Sequence, residues 1–200
     1  MKRLCFDTES TYYKSPYSPI GDPAWHREYF RKMGKKFEFH CGVIYNAKAR
    51  KYREFSRGKA RAFVDLLSTA DELISHSGRR VDLIVLEHSC GEEAVAPLWE
   101  IPHWDLFYIH NWESLTDLAR RLIPRLNKRC DRRLKEANVR AAARWPVVNN
   151  WVSESLFIAE KLAKARRDVE LTYRVFKMKD DGRSRDGSNP HSKHSGPERS

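Results

Sequence analysis

The chain has 200 residues, 40% of them hydrophobic and 32% charged, and 38 Lys and Arg against 27 Asp and Glu leave a net charge of +11. That length suits one domain with or without a tail. No apolar run approaches the roughly 20 residues of a membrane helix, and the opening MKRLCFDTES lacks the apolar stretch of a signal peptide.

Lys2 to Asp7 alternates and stops at a polar cluster, as a short strand does. Residues 10–36 hold Pro16, Pro19, Gly21 and Pro23 among six aromatics. They read as an inserted loop with one helix near Pro23 to Lys32. Phe37 to Tyr45 and Lys51 to Phe55 read as a β-hairpin. Gly58 to Ser68 carries Ala62, Phe63, Leu66 and Leu67 at helical spacing. Glu72 to His76 is a short strand, Asp82 to His88 opens a helix, and His103 to Ile109 is a further strand.

Three helices are predicted next: Ser114 to Ile123, Arg125 to about Arg144, and about Ser153 to Lys177. Residues 179–200 are almost devoid of apolar side chains and read as a disordered polar tail. The pattern predicts an α/β domain over residues 1–178. A central mixed sheet of about five strands is flanked by helices, and the C-terminal half is helical.

Cys5, Cys41, Cys90 and Cys130 form no CxxC pair, so reduced thiols and a cytoplasmic setting are expected. His40, Cys41, His88 and Cys90 fit no standard zinc-ligand spacing; buried or half-buried cysteines in strands are the simpler reading. The basic excess favours polyanionic partners, nucleic acid before acidic membranes. No GxSxG, P-loop or dinucleotide fingerprint occurs.

Three acidic segments carry the chemistry. Asp7 and Glu9 lie two apart at a strand end, on the same side of the strand. Two carboxylates so placed repel each other unless a cation sits between them, and hard oxygen ligands suit a divalent ion. Asp82 follows the turn His76-Ser77-Gly78-Arg79-Arg80, where it either caps a helix or faces the strand edge. Asp168 lies on a basic helix beside Val169, Leu171, Thr172 and Val175, which turn it toward the body of the protein. Taken singly, each acid reads more readily as a surface turn, a cap or an ion-pair partner.

In order and context these segments resemble the three motifs of the DEDD-superfamily 3′-5′ exonucleases, which have a ribonuclease-H-like fold. Phe6 to Glu9 looks like FDxE. His76-Ser77-Gly78 followed by Asp82 looks like HNGxxxD, and Asp168-Val169 with Thr172 looks like the third motif. Lys36 to Tyr45 and the run into ELISHSG most closely resemble the proofreading domain of phage-type family A DNA polymerases. Asp105-Leu106 and Ser114-Leu115 resemble the segment between motifs two and three. The likeness covers roughly residues 2 to 177 and implies a stand-alone exonuclease.

It implies two Mg²⁺ or Mn²⁺ ions on Asp7, Glu9, Asp82 and Asp168, one activating water and the other stabilising the leaving 3′ oxygen. It implies nucleoside monophosphates released from single-stranded 3′ ends, DNA more than RNA. Thr8, His76, Ser77 and Gly78, with Arg79 and Arg80, are expected against the nucleic-acid strand. Two positions depart from the pattern. Lys164 stands where one branch has a Tyr, one helical turn before Asp168, and Ser77 stands where the motif has Asn.

Arg121, Arg125, Lys128 and Arg132 fall on one helical face. It is either a solvated charged face or a surface that tracks phosphates. Function thus divides between a metal-dependent exonuclease and a nucleic-acid-binding module of the same fold weakened at Lys164, with RNA trimming a third option.

Overall fold

The central strand β1, Arg3–Ser10, serves two cores at once. Leu4 and Phe6 are buried on one face of the sheet and Cys5 on the other. Period-two side chains behave so when both faces are covered. A computed structural model describes residues 1–10, 39–123 and 154–186, together with positions 28 and 32.

The chain continues into a hairpin of β2, Phe39–Asn46, and β3, Lys51–Ser56. β2 lies antiparallel to β1, from Leu4 opposite Asn46 to Thr8 opposite Gly42. Helix α1, Ala60–Leu67, leads to β4, Glu72–Ser75, which runs parallel to β1 with Cys5 beside Ile74. A π-helical turn, Gly78–Asp82, opens α2, Leu83–Cys90, and α3, Glu92–Glu100, follows. β5, His103–Asp105, then pairs parallel to β4 and sets Asp105 beside Ser75. Helical crossovers are what parallel neighbours require. The result is a five-stranded mixed sheet of order β3-β2-β1-β4-β5, flanked by helices.

On one face α1, α2 and α3 cover Leu4, Phe6 and Leu73 with Phe63, Leu67, Leu83, Leu86 and Leu98. After the short α4, Leu106–Ile109, and α5, Leu115–Leu122, the last helix α6, Glu154–Asp186, covers the other face. Its buried stripe Ala165, Val169, Thr172 and Phe176 repeats every three to four residues. Ala165, Val169 and Phe176 pack with Cys5, Val43 and Ile74.

Three expectations change. The strand predicted over His103 to Ile109 stops at Asp105, whose carboxylate accepts the Phe107 N–H at 3.1 Å and starts α4. The sequence pattern missed α3, because Pro97 within it reads as a break. The final helix continues past Lys177 to Asp186, into the predicted tail, and Asp180 is tied to Arg3 at 2.7 Å. Cys5 and Cys41 are buried strand residues as expected, whereas the half-buried Cys90 ends α2. The predicted helix over 125–144 and most of the insert lie outside the described residues; positions 28 and 32 are helical. No described helix is long and apolar enough to cross a membrane.

Candidate metal centre

The alternation that gives β1 two cores also divides the site. Asp7 and Glu9 continue the face of Cys5, toward α6. Thr8 continues the face of Phe6, toward the Gly78–Asp82 turn.

On the first face, Asp7, Glu9 and Asp168 each offer a carboxylate oxygen within 4.8 Å of the others. All three are half-buried. Asp168 is on the stripe edge of α6, so the inward orientation read from its apolar neighbours holds. Asp7 Oδ2 is buried and finds no hydrogen-bond donor among the described residues. A buried carboxylate oxygen without a donor is costly unless a cation meets it, so these residues fit a hard divalent ion.

Asp82 stands outside this group of three. Its carboxylate does not cap α2. Instead Oδ1 accepts the Thr8 N–H at 3.1 Å and the Thr8 hydroxyl at 2.5 Å. Asp82 is nevertheless the charged neighbour that acts most strongly on Asp7. The cap reading fails, and the strand-edge reading holds.

The acids share one electrostatic problem. Burial, then Asp82, pushes the Asp7 carboxyl well above the usual carboxylate range; Lys164 opposes the push, and Asp168 and Glu9 add to it. Burial pushes Asp82 up to about 7 against the two Thr8 hydrogen bonds. Burial also raises Asp168, with Lys164 opposing and Glu9 adding. Desolvation and like charge disfavour ionisation together, and a cation relieves both.

Two lysines of α6 answer part of that charge. Lys164 Nζ contacts Glu9 Oε1 directly and lies 3.1 Å from Asp168 Oδ2. Burial works against its charge, but Glu9, Asp168 and Asp7 outweigh it and hold the ammonium above the ordinary lysine range. Lys161 Nζ donates to the Ser10 carbonyl at 2.5 Å and lies 3.6 Å from Glu9 Oε2. Sequence reasoning placed Lys164 at the site and missed Lys161, whose only signal is its place one turn before Lys164 on the same face.

The segment from Ser77 to Asp82 is a tightly packed turn. Ser77 adopts φ 68°, in the left-handed region, and Gly78 follows where no side chain fits. A Cβ there would lie 2.2 Å from Ser75 Oγ and 3.0 Å from Phe6 Cζ. Asp105, across the parallel strand pair, holds the turn: Oδ1 accepts Ser77 N–H at 2.8 Å and Oδ2 accepts Arg79 N–H at 2.9 Å. Sequence reasoning missed this role. An Asp ahead of an apolar run is a cap signal, and Asp105 both ends β5 and caps α4.

Asp105 therefore fixes the turn that presents Asp82. Half-buried His76 lies 2.9 Å from the Glu113 carbonyl through Nε2. A carbonyl only accepts, so Nε2 carries the proton.

The predicted strand-contacting arginines are engaged within the fold. Arg79 donates to the Trp99 carbonyl at 2.9 Å, and Arg80 lies 4.3 Å from the Phe107 ring centre. Arg121 pairs with Glu113 at 2.6 Å. Arg125, Lys128 and Arg132 lie outside the described residues. The centre thus brings together Asp7, Glu9, Asp168 and Lys164, with Thr8 and Asp82 on the adjoining face. His76, Ser77 and Gly78 shape the turn beside them. No protein-family model matches the chain, and no curated protein matches it.

Proposed function

We propose that the chain is a divalent-metal-dependent 3′-to-5′ exonuclease of the DEDD type with a ribonuclease-H-like fold. The observation that carries this reading is the convergence of Asp7 and Glu9 on β1 with Asp168 on α6, beside a buried Asp7 oxygen that has no donor among the described residues. These elements lie far apart in the sequence, so spacing alone does not bring the three acids together. The five-stranded mixed sheet flanked by helices is compatible with that fold.

Asp7, Glu9 and Asp168 would hold Mg²⁺ or Mn²⁺, with Asp82 adding charge from the Thr8 side. A bound ion of this kind supplies Lewis acidity and a water nucleophile for phosphodiester hydrolysis. The chain's own groups position the reaction. Thr8 orients Asp82, and Asp105 holds the turn that carries it. The net charge of +11 favours approach of a polyanion. Single-stranded 3′ ends are the substrate class, DNA ahead of RNA because the resemblance is to a DNA-polymerase proofreading domain.

The test is a 5′-labelled oligonucleotide incubated with Mn²⁺, as DNA and as RNA. A ladder of shortened products that disappears in Asp7→Ala supports the enzyme, and the better-cut strand identifies the sugar. Lys164 in contact with Glu9 and Asp168 favours a second reading, a binding module of the same fold without turnover. Retention of the oligonucleotide with no shortening is the outcome that selects it.

A further inference from the structure

The metal-centre reading, on which this inference rests, comes with an implied pair of divalent ions. The described geometry already has a cation on two of the carboxylates. Glu9 comes from β1 and Asp168 from α6, and one group bridges them: the Lys164 ammonium, in contact with Glu9 Oε1 and 3.1 Å from Asp168 Oδ2. We propose that Lys164 is a built-in cation of this centre, its ammonium standing in for one of the two divalent ions, so that the site loads a single one.

Placement supports this. Lys164 is one helical turn before Asp168, on the same face of α6. Its Nζ lies on the pair of carboxylates that an ion bridging strand and helix would have to share. An ammonium donates hydrogen bonds near 2.8 Å, whereas a small divalent ion needs the same oxygens at about 2.1 Å. The two positively charged groups repel each other and compete for one set of lone pairs.

Charge balance supports it as well. Asp7, Glu9, Asp82 and Asp168, when ionised, carry four negative charges, and two ammonium groups lie against Glu9, because Lys161 is 3.6 Å from its other oxygen. Two negative charges remain, which one divalent ion neutralises. The place left for it is on the Asp7 side, where Oδ2 is buried without a donor among the described residues.

Counting bound Mn²⁺ tests the proposal. The full chain and its Lys164→Met variant, which keeps length and removes charge, are titrated by calorimetry and examined by electron paramagnetic resonance. One equivalent with a mononuclear signal is expected for the unaltered chain. Two equivalents with an exchange-coupled signal are expected for Lys164→Met. Lys164→Gln, which also removes the charge, is expected to bind two equivalents and serves if the Met variant does not fold. Two ions in the unaltered chain overturn the proposal and leave the metal-centre reading standing, as does a single ion in the folded Lys164→Met protein. No Mn²⁺ bound by any of the three overturns both.

Discussion

Thr8 gives two donors to one oxygen of Asp82, its N–H at 3.1 Å and its hydroxyl at 2.5 Å. The residue between the two acids of the first motif therefore aims the acid of the second. It can do so because a strand sends neighbouring side chains to opposite faces. Thr8→Val keeps the shape and the N–H but removes the hydroxyl donor. Leaving a buried carboxylate one donor short costs about 1–3 kcal/mol. Urea unfolding of the metal-free protein is expected to show that loss, and the Thr8→Ser variant is expected to recover part of it.

Asp105 accepts N–H groups from Ser77, Arg79 and Phe107. An Asn offers one oxygen where the carboxylate offers two. Asp105→Asn is expected to leave at least one buried N–H without an acceptor and to destabilise by roughly 2 kcal/mol. Because the freed turn leads to Asp82, Mn²⁺ affinity measured by calorimetry is expected to fall in the same variant. An Asp65→Asn control, exposed on α1 and paired with Arg61, is expected to leave affinity unchanged.

Ser77 and Gly78 respond in opposite directions. Ser77 is held at φ 68°, and the left-handed region costs an ordinary residue about 1–2 kcal/mol but suits Asn. Ser77→Asn is expected to stabilise by about 0.5–1 kcal/mol. Gly78→Ala puts a Cβ 2.2 Å from Ser75 Oγ and 2.6 Å from Ser75 Cβ. Overpacking of this kind costs about 1–3 kcal/mol or more. Thermal melts of both variants check the signs.

His103 supplies a pH dependence away from the acids. Burial, with Arg79 adding, pulls its pKa from 6.5 down to about 3, and Nε2 lies 2.8 Å from Ser75 Oγ. The folded state keeps the ring neutral while the unfolded state protonates it. The stability this contributes is present above pH 6.5 and is lost as pH falls toward 3, by at most roughly 4 kcal/mol. His103→Gln is neutral throughout, so its acid limb is expected to be shallower. The difference between the two proteins at each pH, from urea melts, isolates His103 from the carboxylates they share. Parallel acid limbs contradict the assignment.

Local patterns carried much of the site. The strand period put Asp7 and Glu9 on one side, and Val169 and Thr172 marked the inward face of Asp168. The same local patterns put Asp105 in its strand but missed its capping role, because a strand end and a cap look alike when the following residues are apolar. They also left Asp82 between two readings. Whether an acid caps its own helix or reaches a threonine 74 residues earlier depends on a partner that local spacing does not contain.

By itself the sequence determined the two faces of β1, the buried stripe of α6 and the turn at Gly78, each a short-range matter of side-chain period and backbone freedom. The tertiary structure decided which groups meet. The parallel register of β4 and β5 brings Asp105 beside Ser75, and the docking of α6 brings Lys164 onto Glu9. Those meetings are set by how separate elements bury their apolar faces against one another, and burial is a property of the assembled layers rather than of any one segment.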